Sequence, residues 1–322
     1  MPYGDGIPLT HCFSLTDFHE YKSCPFRFFV KHHLGKKYEL DEASEQMALG
    51  TLLDESIKLF HQSKAYGQPS DYLQNLVKAA RAKILAKLSR QRTPSFYSSI
   101  AEFLTDGLCE KATEVFRNYY IGVGQKIKPS LGPVGFCEWV IKGGEDVGGR
   151  ALTYKVWGGP DALELGDDGL PEVVDYKSRE ALAFGPSQDH KSREALAKDA
   201  QRAKNNLDME LMPKMYTLLC AEKLLKLGYR RARFVVRFWQ DPKEAGFFEE
   251  FDLGMIKNFE VELKRLIEGI LNTTEIKFCE KSYCKACSGV QRDQYILELQ
   301  KLGLIMSPAA VAGSDSSVDA VN

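Results

Sequence analysis

The chain has 322 residues, of which 44% are hydrophobic and 27% are charged, and its formal net charge is −1. This composition predicts a globular protein with a substantial core and argues against a protein that coats nucleic acid through net positive charge. No apolar run reaches the roughly 18 residues of a membrane span, and the start MPYGDGIPLTHC lacks a signal-peptide pattern, so we expect a cytoplasmic protein with no membrane partner.

Apolar residues recur with helical spacing through the first third of the chain. We predict helices over residues 14–34, 44–63, 71–92 and 98–120. Ser14 is the expected cap of the first helix. Cys24 and Pro25 interrupt that helix, because proline removes a backbone hydrogen bond and clashes with the preceding turn.

The pattern then changes to short β-branched and aromatic runs between glycine-rich turns. We predict strands over residues 135–143, 151–159, 161–165, 171–178 and 232–239, and helices over 206–227 and 255–271. The expected fold is α+β, with one mixed sheet between helices. A single domain would span residues 1–306, with a helical part at about 14–125, a sheet core at about 135–245 and a Cys-rich closure at about 255–290. The small, polar tail 307–322 is predicted to be disordered.

The pattern D-x-K-S-R-E-A-L-A occurs twice, beginning at Asp175 and at Asp189. The first copy ends a predicted strand, on which residues i and i+2 share a face, so Asp175 and Lys177 would stand side by side. The second copy follows loop composition, which makes Asp189 a possible helix N-cap. The first copy is therefore the better site candidate of the two, and the alternative interpretation of it is an Asp–Lys salt bridge at a sheet edge.

Asp161 begins the strand before this one, and a GDDG turn joins the two strands. If Asp161 pairs with Asp175, the two carboxylates share a face with about 5 Å between Cβ atoms, and they then need a cation. Mg²⁺ or Mn²⁺ suits oxygen ligands. The Lys177 ammonium would orient a nucleophilic water. A slip of one residue would place the acids on opposite faces.

This arrangement resembles the core of the PD-(D/E)xK nucleases, in particular the RecB-like branch. The resemblance implies a restriction-endonuclease-like core, in which Asp161 and Asp175 bind the metal and Lys177 is the catalytic lysine. The branch places a histidine four residues after a glycine in an early helix. Here Asp54 follows Gly50 at that spacing, and it is either a metal ligand or a plain solvent-facing acid.

A further feature of the branch is a Gln four residues before a Tyr on the helix after D-x-K. Tyr216 matches the Tyr, whereas Met212 occupies the Gln position. This departure puts in doubt DNA positioning by this helix. Tyr216 is therefore either a DNA-binding residue or part of the core.

Three of the eight cysteines, Cys279, Cys284 and Cys287, are spaced C-x4-C-x2-C and can share one ion or cluster. Cys24 is the candidate fourth ligand, because Pro25 breaks the helix there. RecB-like and CRISPR-associated iron–sulfur nucleases carry one Cys in a C-P-x-x-F segment and three near the C-terminus, which implies a [4Fe–4S] cluster. Their trio is spaced C-x2-C followed by a distant Cys, however, whereas here the odd Cys comes first. Zinc suits four thiolates equally well. The other cysteines are expected to be buried small hydrophobic residues: Cys12, Cys109, Cys137 and Cys220.

Three arginines, Arg231, Arg233 and Arg237, lie on one face of the last predicted strand. Guanidiniums at intervals of about 7 Å could track phosphates without reading sequence. A charged edge strand is the alternative. Arg27, beside the proposed cluster, is a weaker DNA-binding candidate.

The resemblance implies a Mg²⁺- or Mn²⁺-dependent DNA nuclease, expected to be an exonuclease in repair, recombination or CRISPR adaptation. Its DNA contacts would be independent of sequence, and protein partners would come from a repair or CRISPR complex. The main alternative is a nuclease-derived DNA-binding or assembly subunit that cuts nothing. A zinc-stabilised interaction protein without DNA is the third.

Overall fold

The computed structural model describes residues 11–36, 43–65, 67–69, 71–89, 100–121, 131, 137–145, 149, 151–177, 211–238, 241–273, 275–279 and 284–306. Contacts within the chain divide it into two compact units, one of residues 1–15 and 41–267 and the other of residues 16–40 and 268–322. The second D-x-K copy, at Asp189 and Lys191, and the tail 307–322 lie outside the described residues. The single domain over residues 1–306 stays a prediction.

The helices are α1 (Leu15–Ser23), α2 (Pro25–His33), α3 (Glu45–Gln62), α4 (Asp71–Ser89), α5 (Asp106–Tyr119), α6 (Leu211–Lys226), α7 (Phe259–Leu271), α8 (Lys285–Ser288) and α9 (Arg292–Lys301). Short 3-10 turns cover Ala101–Phe103 and Ile256–Asn258. The strands are β1 (Cys12–Ser14), β2 (Cys137–Glu145), β3 (Ala151–Gly158), β4 (Ala162–Leu165), β5 (Pro171–Lys177), β6 (Arg231–Phe238), β7 (Asp241–Asp252), β8 (Glu275–Ile276) and β9 (Ile305–Met306). No helix in the described ranges is long and apolar enough to cross a membrane.

Helix starts follow local capping chemistry. Ser44 caps α3 by accepting a hydrogen bond from the Met47 amide, and Thr105 caps α5 in the same way. The interruption predicted at Cys24 and Pro25 is confirmed, because α1 ends at Ser23 and α2 begins at Pro25. Proline fits the first position of a helix, where its missing amide hydrogen has no helical partner to lose.

The described strands form two mixed sheets and one parallel pair, in the orders β1-β3-β2, β4-β5-β6-β7 and β8-β9. In the four-stranded sheet, β5 runs antiparallel to β4 and parallel to β6, and β7 runs antiparallel to β6. The mixed α+β class is therefore as predicted. The prediction of one sheet is wrong, because β2 and β3 pair with β1 apart from β4. Pro160, which has no amide hydrogen to donate, lies between β3 and β4.

Helices α3, α4 and α5 pack against β4 and β5 and form an apolar core of the first unit. Phe60 of α3 is fully buried and makes edge contacts with Phe116 and Tyr119 of α5. Val174 and Tyr176 of β5 join the same cluster. This packing covers one face of β5 and thereby sets which of its residues lie on the opposite face.

The second unit is built from both ends of the chain. The Phe26 amide donates a hydrogen bond of 3.2 Å to the Lys277 carbonyl, and the rings of Phe26 and Phe278 lie 4.6 Å apart between centroids. Tyr21 and Thr273 hydrogen-bond through their hydroxyls at 2.9 Å. These contacts fasten α1 and α2 to the C-terminal segment.

Candidate functional site

The hairpin of β4 and β5 brings two carboxylates together. Ala162 pairs with Val174, so the same register, continued by one residue, brings Asp161 opposite Asp175. The Asp161 amide donates to the Val174 carbonyl at 2.9 Å, and Asp161 Oδ2 accepts a 2.6 Å hydrogen bond from the Tyr176 amide. The hairpin therefore fixes Asp161 through its backbone and its side chain.

Asp175 and Lys177 lie on the same face of β5. Lys177 Nζ is 2.7 Å from Asp175 Oδ2, and Asp175 is buried while Lys177 is half-buried. Burial lowers the pKa of Lys177, but the charges of Asp175 and Asp161 outweigh it and raise that pKa above its ordinary value. Lys177 is therefore a firmly held ammonium at neutral pH.

Helix α3 contributes a third carboxylate. Asp54 Oδ2 is 2.6 Å from Lys58 Nζ, one helical turn later. Burial lowers the pKa of Lys58, but the charges of Asp54 and Asp161 raise it overall. Asp54 is thus within electrostatic range of the hairpin. The sequence-based reasoning missed Lys58, although its i+4 spacing from Asp54 was a readable signal.

The three carboxylates repel one another electrostatically. Burial, followed by the negative charges of Asp175 and Asp54, raises the pKa of Asp161 well above its ordinary value. Like charges held this close favour protonation of one group or the binding of a cation. The site is therefore poised to accept positive charge.

The residues present fit a divalent cation. Asp54 Oδ1 is buried and has no hydrogen-bond partner within the described part of the chain, which leaves one carboxylate oxygen available. The carboxylate oxygens of the three acids do not form a closed cage, in which they would all lie within 4.8 Å of one another. Mg²⁺ requires no such cage, because it keeps several waters and binds through one or two carboxylates.

Tyr216 of α6 borders the same site. Burial and then the charge of Asp175 raise the pKa of Tyr216 above its ordinary value. A Cβ on Gly158 would lie 3.3 Å from Tyr216 Cε1, so glycine leaves room for the ring against β3. Met212, one turn earlier, is buried. The structure thus places Tyr216 beside the acids and Met212 in the core.

The predicted arginine row is paired with carboxylates. Arg231 bonds Glu250, and Arg233 lies 2.7 Å from Asp168 and 2.8 Å from Glu250. A further contact of this kind joins Arg237, which is buried, to Glu172. Tracking of phosphates by these guanidiniums stays a prediction, and it would require the ion pairs of Arg231 and Arg233 to open and Arg237 to leave its buried position.

Arg27 belongs to the second unit. Its Nε lies 3.0 Å from Glu20 Oε1, and Lys31 contacts the same oxygen at 2.7 Å. Arg27 therefore already serves an ion pair on α1 and α2, and its role in DNA binding stays a prediction.

Four cysteines of the second unit converge. The sulfurs of Cys24, Cys279, Cys284 and Cys287 all lie within 4.8 Å of one another. The Sγ–Sγ distances are 3.4 Å for Cys24 and Cys287, 3.6 Å for Cys279 and Cys287, and 3.8 Å for Cys24 and Cys284. The grouping expected from the spacing is therefore present.

The thiols share hydrogen bonds, and their pKa values diverge in consequence. Hydrogen bonding with Cys24 and Cys287 lowers the pKa of Cys284, whereas hydrogen bonding with Cys284 raises the pKa of Cys24 to about 12. The first thiolate therefore forms readily, and its negative charge opposes the deprotonation of a second thiol. A bound cation would remove this opposition, since metal ligation requires thiolates. The four sulfurs thus fit a metal ion or cluster.

The remaining cysteines lie in the first unit. Three are buried as predicted: Cys12, Cys109 and Cys220. The expectation is wrong for Cys137, which is only partly buried and hydrogen-bonds Cys220 through its sulfur. Cys137 stands at the start of β2, where the strand leaves part of the side chain exposed.

Two solved structures resemble the chain at low identity. A crystal structure of SSO0001 is 11% identical, with 74% of this chain and 85% of that chain covered and a TM-score of 0.19. The crystal structure of Scheffersomyces stipitis Rai1 in complex with (3'-NADP)+ and calcium ion is 12% identical, with 93% and 72% covered and a TM-score of 0.19. Such TM-scores carry no argument about fold or function. No curated protein matches the chain.

A family model gives the informative comparison. The model described as the PD-(D/E)XK nuclease superfamily matches residues 12–291. This range contains the hairpin acids, the lysine after them and all four clustered cysteines. The RecB-like branch stays a prediction.

Proposed function

Because the chain belongs to the PD-(D/E)XK nuclease superfamily, we propose that it is a metal-dependent deoxyribonuclease that hydrolyses phosphodiester bonds irrespective of sequence. The observation that carries the proposal is the juxtaposition of Asp161, Asp175 and Lys177 at the end of one hairpin, with Lys177 Nζ 2.7 Å from Asp175 Oδ2. The finer assignment is an exonuclease of DNA repair, recombination or CRISPR adaptation.

The mechanism assigns a task to each of these residues. Asp161 and Asp175 would hold Mg²⁺ or Mn²⁺, which when bound supplies Lewis-acid charge and a more acidic water. The Tyr176 amide orients the Asp161 carboxylate. Lys177 keeps its proton, orients the nucleophile and faces the negative charge that develops on phosphate oxygens. Tyr216, beside the acids, is a candidate contact for DNA.

The four-cysteine site supports a structural centre. A [4Fe–4S] cluster is the proposed occupant, held by Cys24, Cys279, Cys284 and Cys287, and zinc is the rival because four thiolates suit both. Anaerobically purified protein that is brown and contains iron and sulfide favours the cluster. A colourless protein with one zinc per chain favours the rival.

A second candidate function is DNA binding without cleavage. It is favoured by Asp54, which stands at the family's histidine position and is engaged by Lys58, and by the buried Met212 at the glutamine position. Wild-type protein that binds DNA but leaves it intact with Mg²⁺ and with Mn²⁺ would select this function.

The test is degradation of end-labelled single- and double-stranded DNA by anaerobically purified protein with Mg²⁺ or Mn²⁺. Asp175→Ala should lower the cleavage rate about a hundredfold or more, because it removes a proposed metal ligand. Asp189→Ala, the same change in the second D-x-K copy, is the matched control and should retain activity. Equal activity of wild type and Asp175→Ala would contradict the proposal.

A further inference from the structure

Lys58 lies at the proposed metal site, yet the mechanism above gives it no task. Its Nζ is 2.6 Å from Asp54 Oδ2, and the two residues are one turn apart on α3. It also lies in the field of Asp161. About a third of the Lys58 side chain is exposed, at 31%. Lys58 is therefore a second ammonium, besides Lys177, that interacts with acids of the proposed site, namely Asp54 and Asp161.

The two oxygens of Asp54 have different surroundings. Oδ2 is bound by Lys58, whereas Oδ1 is buried and has no hydrogen-bond partner among the residues described. Residues four apart on a helix lie on one face, so the backbone of α3 maintains this pairing. One oxygen of Asp54 is committed and the other is available.

We infer that Lys58 is a positioning residue that holds Asp54 Oδ2 and thereby presents a single Asp54 oxygen to the divalent cation. The inference rests on the proposed function. Mg²⁺ and Mn²⁺ need open coordination positions for water and phosphate oxygens, and Mg²⁺ demands near-octahedral geometry. A carboxylate that supplied both oxygens would remove one of those positions.

Charge balance gives this inference a distinctive consequence. Asp161 lies in the field of two further carboxylates, Asp54 and Asp175, and of two ammoniums, Lys58 and Lys177. Loss of the Lys58 charge leaves the carboxylates in greater excess and frees Asp54 Oδ2. Cation affinity should then rise while turnover falls. A merely structural defect would lower both.

The experiment uses the full chain purified anaerobically with its own metal centre. Mn²⁺ binding is measured without DNA, from the electron paramagnetic resonance signal of free Mn²⁺, and cleavage is measured at saturating Mn²⁺. Lys58→Met keeps an unbranched side chain of similar size and removes the charge, so it should bind Mn²⁺ about tenfold more tightly and cleave about tenfold more slowly. Lys58→Arg keeps the charge and should bring Mn²⁺ affinity back to within about threefold of wild type.

Lys111→Met is the matched control, because Lys111 of α5 forms an exposed ion pair with Glu45, which lies on the same helix α3 as Asp54. It should leave both readouts unchanged. Circular dichroism and the thermal midpoint identify any folding defect, and Lys58→Gln provides a second neutral variant if Lys58→Met fails to fold. Unchanged or weaker Mn²⁺ affinity in a folded neutral variant overturns the inference.

The proposed function fails separately. Both the proposed function and the inference require Mn²⁺ binding that is lost in Asp175→Ala. If wild type lacks such binding, both are contradicted. If that binding is present and the neutral Lys58 variants do not tighten it, the inference alone falls.

Discussion

Each carboxylate of the candidate site is oriented by one nearby donor. The Tyr176 amide holds Asp161 at 2.6 Å, Lys177 contacts Asp175 at 2.7 Å, and Lys58 contacts Asp54 at 2.6 Å. Contacts of this kind fix the orientation of the carboxylates, as the proposed cation site requires. They also limit the repulsion that three neighbouring acids would otherwise experience.

Reactivity at the scale of a single thiol can be predicted for Cys137. Its hydrogen bond with Cys220 lowers the pKa of Cys137 to about 7, against the opposing effect of burial and with help from the charge of Lys223. We expect Cys137 to react with iodoacetamide faster than the buried Cys12 and Cys109, because the thiolate is the nucleophile. The rate should reach half its maximum near pH 7, measured by peptide mass spectrometry.

Cys220→Ala is the control for this prediction. Without the hydrogen bond, the midpoint of the Cys137 alkylation profile should move up toward the ordinary thiol value of 9.0. A profile that does not move in this variant would contradict the assigned cause.

At the scale of elements, α3 and α4 are joined by ion pairs around one buried acid. Glu55 of α3 lies 2.5 Å from Lys83 and 3.0 Å from Lys87 of α4. Burial raises the pKa of Glu55, but the hydrogen bonds and charges of the two lysines outweigh it and lower that pKa. The pairing therefore links adjacent helices of the core that supports the hairpin.

Glu55→Gln should lower the free energy of unfolding by about 1 kcal/mol at pH 7, a modest value because both lysines are substantially exposed. A carboxylate whose folded pKa is lowered stabilises the fold above its unfolded pKa, and this contribution disappears as pH falls through the folded pKa. The difference between wild type and variant should therefore vanish in acid. Urea unfolding at several pH values measures it.

Glu45→Gln is the matched comparison on the same helix, because the ion pair of Glu45 and Lys111 is exposed. Its effect should stay within about 0.5 kcal/mol. A larger loss for Glu45→Gln than for Glu55→Gln would refute the role assigned to burial.

At the scale of the whole chain, the second unit depends on segments from both ends. Cys24 and Cys287 are 263 positions apart, and their sulfurs lie 3.4 Å from each other. Closing so long a loop is entropically unfavourable, so a centre held by both segments should contribute much of the stability of this unit.

Cys24→Ser, or removal of the proposed metal centre, should therefore open the second unit. Amide hydrogen exchange in α2 and α9 should become at least about tenfold faster. This change corresponds to a decrease of about 1.4 kcal/mol or more in the free energy of opening when the cross-link is lost. Cys109→Ser, at a buried cysteine of the first unit, should leave exchange in α2 and α9 unchanged. Unaltered exchange in Cys24→Ser would show that the centre does not stabilise the unit.

Elements with local signals were predicted well. Helix α3 lies within the expected range because Ser44 caps it and its apolar spacing is regular, and β5 is a β-branched run that ends at the predicted lysine. Elements that depend on distant partners were missed: β1, β7, β8, β9 and α9. Strand β1 has three residues and pairs in parallel with β3, far along the chain. So short a strand has no periodicity of its own.

Local patterns in the sequence suffice to predict the elements that have a clear periodicity, the shared face of Asp175 and Lys177, and the grouping of three late cysteines, because spacings of two to five residues are set by local backbone geometry. The packed structure is needed to show that Lys58 joins the acids, that Arg237 is buried against Glu172, and that Cys24 meets the late cysteines. Burial and charge pairing depend on segments that are distant in sequence. These contacts arise only when the sheet and helices pack.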